Sequence, residues 1–131
     1  MFVVVAAGDG NQDAVNCSPA GVPGAFTVGA STLADGRALF SDWGPTIDVF
    51  APGLNILSDG IGPTNAERET RSGTAQAAAH VAGLAACLIS SADITTANVG
   101  SAITVLATKD LLKEIPAGTS NLLAYNNPDN A

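Results

Sequence analysis

Ser72-Gly73-Thr74-Ala75-Gln76-Ala77-Ala78-Ala79-His80-Val81-Ala82-Gly83 is the segment whose residue types and spacing speak most directly to chemistry. Gly73 permits a tight backbone turn, and the alanines after it favour helix. Val81, Leu84, Ala85, Leu88 and Ile89 then recur at helical spacing. A side chain at the start of such a helix faces free N–H groups and the positive end of the helix dipole. That is a favourable place for a nucleophile that must work against developing negative charge. The side chain found there, at Ala75, is a methyl group, which can be neither deprotonated nor acylated.

Few other residues could act. His80 is the only histidine; lying six residues into the expected helix, it reads as structural rather than catalytic. Asp9 follows the apolar run Phe2-Val3-Val4-Val5-Ala6-Ala7-Gly8 and sits in an Asp-Gly-Asn turn. Cys17 and Cys87 make no framework pattern and are expected to be free, buried thiols.

The order of short motifs resembles the subtilisin-type serine proteases (subtilases), most closely the proteinase K branch. Residues 72–83 resemble S-G-T-S-M-A-T-P-H-V-A-G, the nucleophile segment. Val4-Val5-Ala6-Ala7-Gly8-Asp9 is similar to the strand that ends in A-A-G-N. Asn16 to Ala20, Phe26 to Ser31, Phe40-Ser41-Asp42-Trp43-Gly44, Ile47 to Gly53 and Leu122 to Asn127 match further family segments in order. The resemblance implies that Ala75 stands where the family has its nucleophilic serine, and Asp9 where it has the oxyanion-hole asparagine. An ionised aspartate accepts hydrogen bonds and donates none, whereas loss of an oxyanion donor costs about 10²–10³ in rate. Gln76, Ala78 and Ala79 depart from the pattern too. The family's catalytic aspartate and histidine belong to the half of the domain before this match, so no member of the Ser-His-Asp triad is expected in this chain.

Several further expectations rest on the resemblance alone. Ala6, Ala7 and Gly8 would form one wall of the primary substrate pocket. Asp48, with the main-chain carbonyls of Pro23 and Ala25, would match a calcium site; the donor chemistry suits Ca²⁺, although one carboxylate is a weak ligand set. The branch has a cysteine where Phe26 stands, with its partner near Ala102, so that disulfide is absent. The family is largely secreted, yet Met1 to Ala7 has no positively charged leader and reads as a strand rather than an export signal.

Composition sets the outer limits. With 131 residues, 47% hydrophobic and 13% charged, one ordered domain with its own core is expected. A formal net charge of −7 disfavours nucleic acid and anionic membrane surfaces. No apolar run reaches the length of a membrane span.

The elements that must position these residues follow from the pattern. Phe2–Ala7 reads as a strand buried on both faces, Phe26–Ala30 as a second, Ile47–Phe50 as a third and Asn55–Ser58 as a fourth. Asp35-Gly36 marks a tight hairpin-type turn. Ser58–Arg71 reads as a solvated polar loop, Ala75–Ser90 as one helix, and Thr95–Thr108 as another, capped by Thr95 or Thr96. Asn121–Tyr125 reads as a final strand, with a frayed tail at 127–131.

The expected fold is therefore α/β, a partial subtilisin-like three-layer arrangement over residues 1–131, corresponding to the C-terminal half of the family's catalytic domain. Three functions are compatible with it. The first is a proteolytically inactive relative of serine endopeptidases. The second is a binding or assembly module that associates with itself or a partner chain through the apolar edge Phe2–Ala7, or that takes a peptide ligand. The third is a repurposed enzyme using Asp9 and His80.

Overall fold

The computed structural model describes residues 1–91 and 93–127. The elements are β1 (Val4–Ala6), β2 (Phe26–Ser31), β3 (Val49–Pro52), β4 (Ile56–Asp59), β5 (Arg68–Arg71), α1 (Thr74–Ser91), α2 (Val99–Leu106), β6 (Thr108–Lys109) and β7 (Leu122–Leu123), with a 3-10 turn at Ala14–Asn16. Five strands form one sheet in the order β1-β2-β3-β7-β6. The first four are parallel neighbours, and β6 runs antiparallel to β7. The α/β class follows, as expected. Beyond residue 127 the expected tail lies outside the described residues.

β2 is buried along its whole length, because both faces of a parallel strand are covered. On one face Phe26, Val28 and Ala30 of β2, with Val49 and Ala51 of β3, pack against Ala77, Val81 and Ala85 of α1 and Val99 and Ile103 of α2. On the other, Phe50 joins Ala7, Ala14, Ala20, Ile47 and Leu112. The second face is thus covered by coil and the 3-10 turn. Gly29 pairs with Phe50 across the two strands, and a Cβ on Gly29 would come within 2.4 Å of the Phe50 ring. The glycine is what lets the ring lie flat over β2.

α1 buries only Thr74, Ala77, Val81 and Ala85, one stripe at helical spacing. Its other faces leave Ala75, Ala79, Ala82, Gly83 and Ala86 exposed. By length and composition it is also apolar enough to cross a membrane, with 28% of it buried here. The Ser91 hydroxyl donates to the Cys87 carbonyl in the last turn, at 2.7 Å.

Several boundaries differ from expectation. β1 covers only the middle of the Phe2–Ala7 run. α2 starts at Val99, because the Thr95 carbonyl first accepts from the amides of Asn98 and Val99 in a turn. Neither Thr95 nor Thr96 caps it: the Asn98 side chain accepts from Thr95 N and Oγ1 at 2.7 and 3.2 Å, and so braces the turn instead. The polar stretch 58–71 is not all loop, since Arg68–Arg71 pairs antiparallel with Ile56–Asp59. Its side chains remain exposed, which is why composition alone suggested a loop. Glu67 accepts from Thr64 N and Oγ1 at the hairpin tip, and those bonds hold its carboxyl below the usual carboxylate range. Asp35 takes a φ of +56° and the Thr32 amide donates to the Gly36 carbonyl, which makes the expected tight turn. Both cysteines are free, but Cys17 is half-buried and Cys87 exposed, not buried. At Phe26, where the resemblance implied a lost disulfide, the ring packs tilted on Phe2, with centroids 5.2 Å apart, and lies against Gly100 of α2.

Gly29→Ala tests the packing argument. Overpacking of this kind costs about 1–3 kcal/mol. The urea midpoint should fall accordingly, and an unchanged midpoint would show that Phe50 moves aside freely.

Candidate functional site: the head of α1

Gly73 precedes α1 and has no side chain with which to satisfy the free N–H groups of the first turn. A residue far away in sequence does so. Asp9, in the turn after β1, accepts with its Oδ1 from Thr74 N at 2.8 Å and from Thr74 Oγ1 at 2.8 Å. The same Thr74 hydroxyl accepts from Gly8 N at 3.0 Å. One hydroxyl, 1% exposed, therefore joins the end of β1 to the start of α1, donating one way and accepting the other. Asp9 Oδ2 lies on the far side: a Cβ on Gly73 would sit 3.2 Å from it and 2.7 Å from Gln76 Oε1. Gly73 is thus hemmed in by two polar side chains.

The chemical consequence is direct. The position expected to donate to an oxyanion carries an acceptor, and one of its oxygens is committed to Thr74. Ala75 is exposed and lines a groove of about 630 Å³ between α1 and the β4–β5 hairpin. Ala79, His80 and Gly83 continue the helix side, with Ile56, Leu57, Ile61, Glu69 and Arg71 opposite. Arg71 pairs with Glu69 at 2.9 Å across solvent, a contact worth little by itself. The hairpin is tied to the body at its base, where Asn55 N donates to Ser72 Oγ at 2.9 Å and Gly73 N to the Gly53 carbonyl at 2.8 Å.

His80 Nδ1 donates to the Pro52 carbonyl at 3.1 Å, tying α1 to the end of β3. It lies six residues after Thr74, a rise of about 9 Å along the helix; the hydrogen bonds of Asp9 go to Thr74 and that of His80 to Pro52. Of the expected pocket wall, Ala7 is fully buried in the second core cluster; Ala6 and Gly8 are its half-exposed members.

Asp48 lies elsewhere. Its Oδ2 accepts from Thr27 N at 2.7 Å, and burial pushes its carboxyl above the usual range. It lines a second cavity of about 450 Å³ with Gly24, the residue between Pro23 and Ala25, and with Thr96, Ser101 and Thr104. Among the described residues, no three His, Cys, Asp or Glu side chains cluster as metal ligands.

Sequence reasoning missed two residues of the site. Thr74 passed as part of a matched segment, and Asp42 as part of another. Asp42 is 1% exposed, and its Oδ1 accepts from Gly10 N and Gln12 N at 2.9 and 3.0 Å, bracing the turn that carries Asp9. No local signal marked Asp42, because the amides it binds lie thirty or more positions away.

Comparison with known proteins places the fold. The Subtilase family model matches residues 1–128. Subtilisin-like protease 8 of Arthroderma benhamiae is 48% identical over 96% of this chain, and cerevisin of Saccharomyces cerevisiae 47% identical over the same share. A solved cold-adapted subtilisin-like serine proteinase superposes with a TM-score of 0.83 at 39% identity, over 95% of this chain. The chain spans 28% and 22% of the lengths of those two relatives and 44% of the solved one. It belongs to the subtilase family.

Proposed function

We propose that this chain is a proteolytically inactive member of a serine-endopeptidase lineage. The observation that carries this reading is the head of α1: a methyl group at residue 75 beside a carboxylate that accepts from Thr74. A serine acyl-enzyme needs a nucleophile, a base and donors to the oxyanion. Ala75 supplies no nucleophile and Asp9 no donor. His80 is tied to the Pro52 carbonyl through Nδ1 and follows residue 75 on the same helix, whereas the resemblance places the family's base in the half of the domain before this match.

Hydrolysis of casein or chromogenic peptides by the 131-residue chain should equal the buffer blank, with no labelling by a fluorophosphonate probe. Ala75→Ser should remain at the blank as well, because the family's base and its orienting carboxylate match no position in these residues. Turnover by Ala75→Ser near that of an ordinary protease would overturn the reading.

A second reading, assembly with another polypeptide, is supported by the surface. β1 is the outer strand of the sheet, and among the described residues it pairs only with β2. The exposed small residues of α1 add an apolar face that in most soluble helices would be covered. An unpaired apolar edge is a template for association. Purified chain should sediment at micromolar concentration as more than a monomer, and Val4→Lys should shift it toward monomer or toward unfolding. A cooperatively melting monomer of the unaltered chain would count against assembly.

Calcium at Asp48, with the carbonyls of Pro23 and Ala25, is the third part of the proposal. Its support is a carboxylate that is half-buried, uncomfortable when charged, and paired with no Lys or Arg among the described residues. A folded-state pKa above the unfolded one means that protonation stabilises the fold below the ordinary carboxylate range, and that this contribution is lost as pH rises through the folded value. Without calcium, Asp48→Asn should therefore melt higher than the parent near neutral pH, with the difference closing in acid. Calcium should raise the melting temperature of the parent and leave Asp48→Asn unmoved. A pH-independent difference would refute the titration, and an equal calcium response in both would refute the site.

A further inference from the structure

We infer that Asp42 is the positioning residue of this site: its buried carboxylate, rather than the end of β1, holds the turn that delivers Asp9 to the head of α1. This goes beyond the proposed inactivity and does not depend on it, since it concerns how Asp9 is placed, whatever Asp9 does there.

The turn from Gly8 to Gln12 leaves the sheet after Ala7, whose amide makes the last bond to β2, at 2.9 Å from the Val28 carbonyl. From there the backbone is gathered onto Asp42. The Gly8 carbonyl accepts from Asp42 N at 2.8 Å, and Asp42 Oδ1 accepts from Gly10 N and Gln12 N at 2.9 and 3.0 Å. One carboxylate oxygen thus draws in the amides on either side of Asn11, which takes a left-handed φ of +49°. The other oxygen, Oδ2, accepts from the Cys17 thiol at 3.3 Å and lies so close to Gly8 that a Cβ there would sit 2.3 Å from it. Gly8 has a φ of +114°, so both its backbone angle and the carboxylate exclude a side chain. Asp42 is 1% exposed, although Gly10 and Gln12, whose amides it binds, are exposed.

Three further bonds flank the clamp. The amide of Asn11 donates to the Phe40 carbonyl at 2.9 Å, and Trp43 N donates to the Gln12 carbonyl at 3.0 Å. Arg37 reaches Asn11 Oδ1 at 3.0 Å from the exposed side. None of these touches Gly10. Asp9, between Gly8 and Gly10, reaches only Thr74. Its placement therefore depends on its two neighbours: Gly8 is held both by Asp42 N and, through its own amide, by Thr74 Oγ1 at 3.0 Å, whereas Gly10 is held by Asp42.

The arrangement has a direction that can be measured. Asp42 holds the turn whether or not Asp9 is present, whereas Asp9 meets Thr74 only while Asp42 holds the turn. In Asp42→Ala, hydrogen exchange of the Thr74 amide should speed by about tenfold or more, as expected for loss of one such bond. The Asp9 carboxyl carbon resonance should move toward that of a free aspartate, while the Val28 and Phe50 amides keep their protection. Asp42→Asn keeps an Oδ1 acceptor for Gly10 and Gln12 and should restore both signals. In Asp9→Ala, the Gly10 and Gln12 amides should stay protected. This last variant carries the test alone should Asp42→Ala fail to fold. Unchanged Thr74 and Asp9 signals in Asp42→Ala would overturn the inference, as would equal loss of protection at Val28 and Phe50. So would failure of Asp42→Asn to rescue, or exposure of Gly10 and Gln12 in Asp9→Ala.

Discussion

The hydroxyl of Thr74 is the point through which the two sides of the structure are joined. It accepts from Gly8, at the end of the first strand, and donates to Asp9 in the next turn, while its own amide begins α1. Because α1 rests across β1, β2 and β3, fixing its first residue against the end of β1 also sets how its stripe of Ala77, Val81 and Ala85 meets the sheet. A buried hydroxyl left without partners costs about 1–3 kcal/mol, so this position tolerates few alternatives.

The same contact decides the chemistry. The head of a helix attracts negative charge, worth about 0.3–1 kcal/mol at an exposed end and up to about 2 kcal/mol in partly buried geometry. In a hydrolase that preference would serve a transient oxyanion. Here a permanent carboxylate draws on it, and it stabilises the fold at every moment rather than at one step of a reaction. An anion approaching Ala75 would meet Asp9 as a like charge. On the proposed reading, Ala75 and Asp9 act in the same direction: one offers no attacking group, the other an acceptor where the family pattern has a donor.

Much of this was legible in the sequence. The valine-rich run before Gly8, the fully apolar Phe26–Ala30 and the alanine-rich helix follow from period and composition, because each is decided by residues adjacent in the chain. Ala75 and Asp9 were legible as departures from the family pattern. What escaped depended on distant partners. Arg68–Arg71 is a strand only because Ile56–Asp59 runs alongside it, and its four exposed polar side chains give no period-two signal. Asn98 could have capped α2, yet it turns back to Thr95. The carboxylate of Asp42 lies thirty or more positions from the amides it binds, and nothing local in Ser41-Asp42-Trp43 announces that it is buried. The resemblance implied Ala7 as part of a pocket wall; its full burial in the second core cluster was not legible from its size, since small residues suit walls and tight cores alike.

The coupling between Asp9 and Thr74 is the most direct test of the claim that the head of α1 is a structural clamp. The measurement is a double-mutant cycle with Asp9→Ala and Thr74→Val, read by urea unfolding of the parent, the two single variants and the double. A clamp predicts strong non-additivity, with the second substitution costing at least about 1 kcal/mol less once the first is present. Additive losses would mean that the two side chains stabilise the fold separately, and would contradict the account.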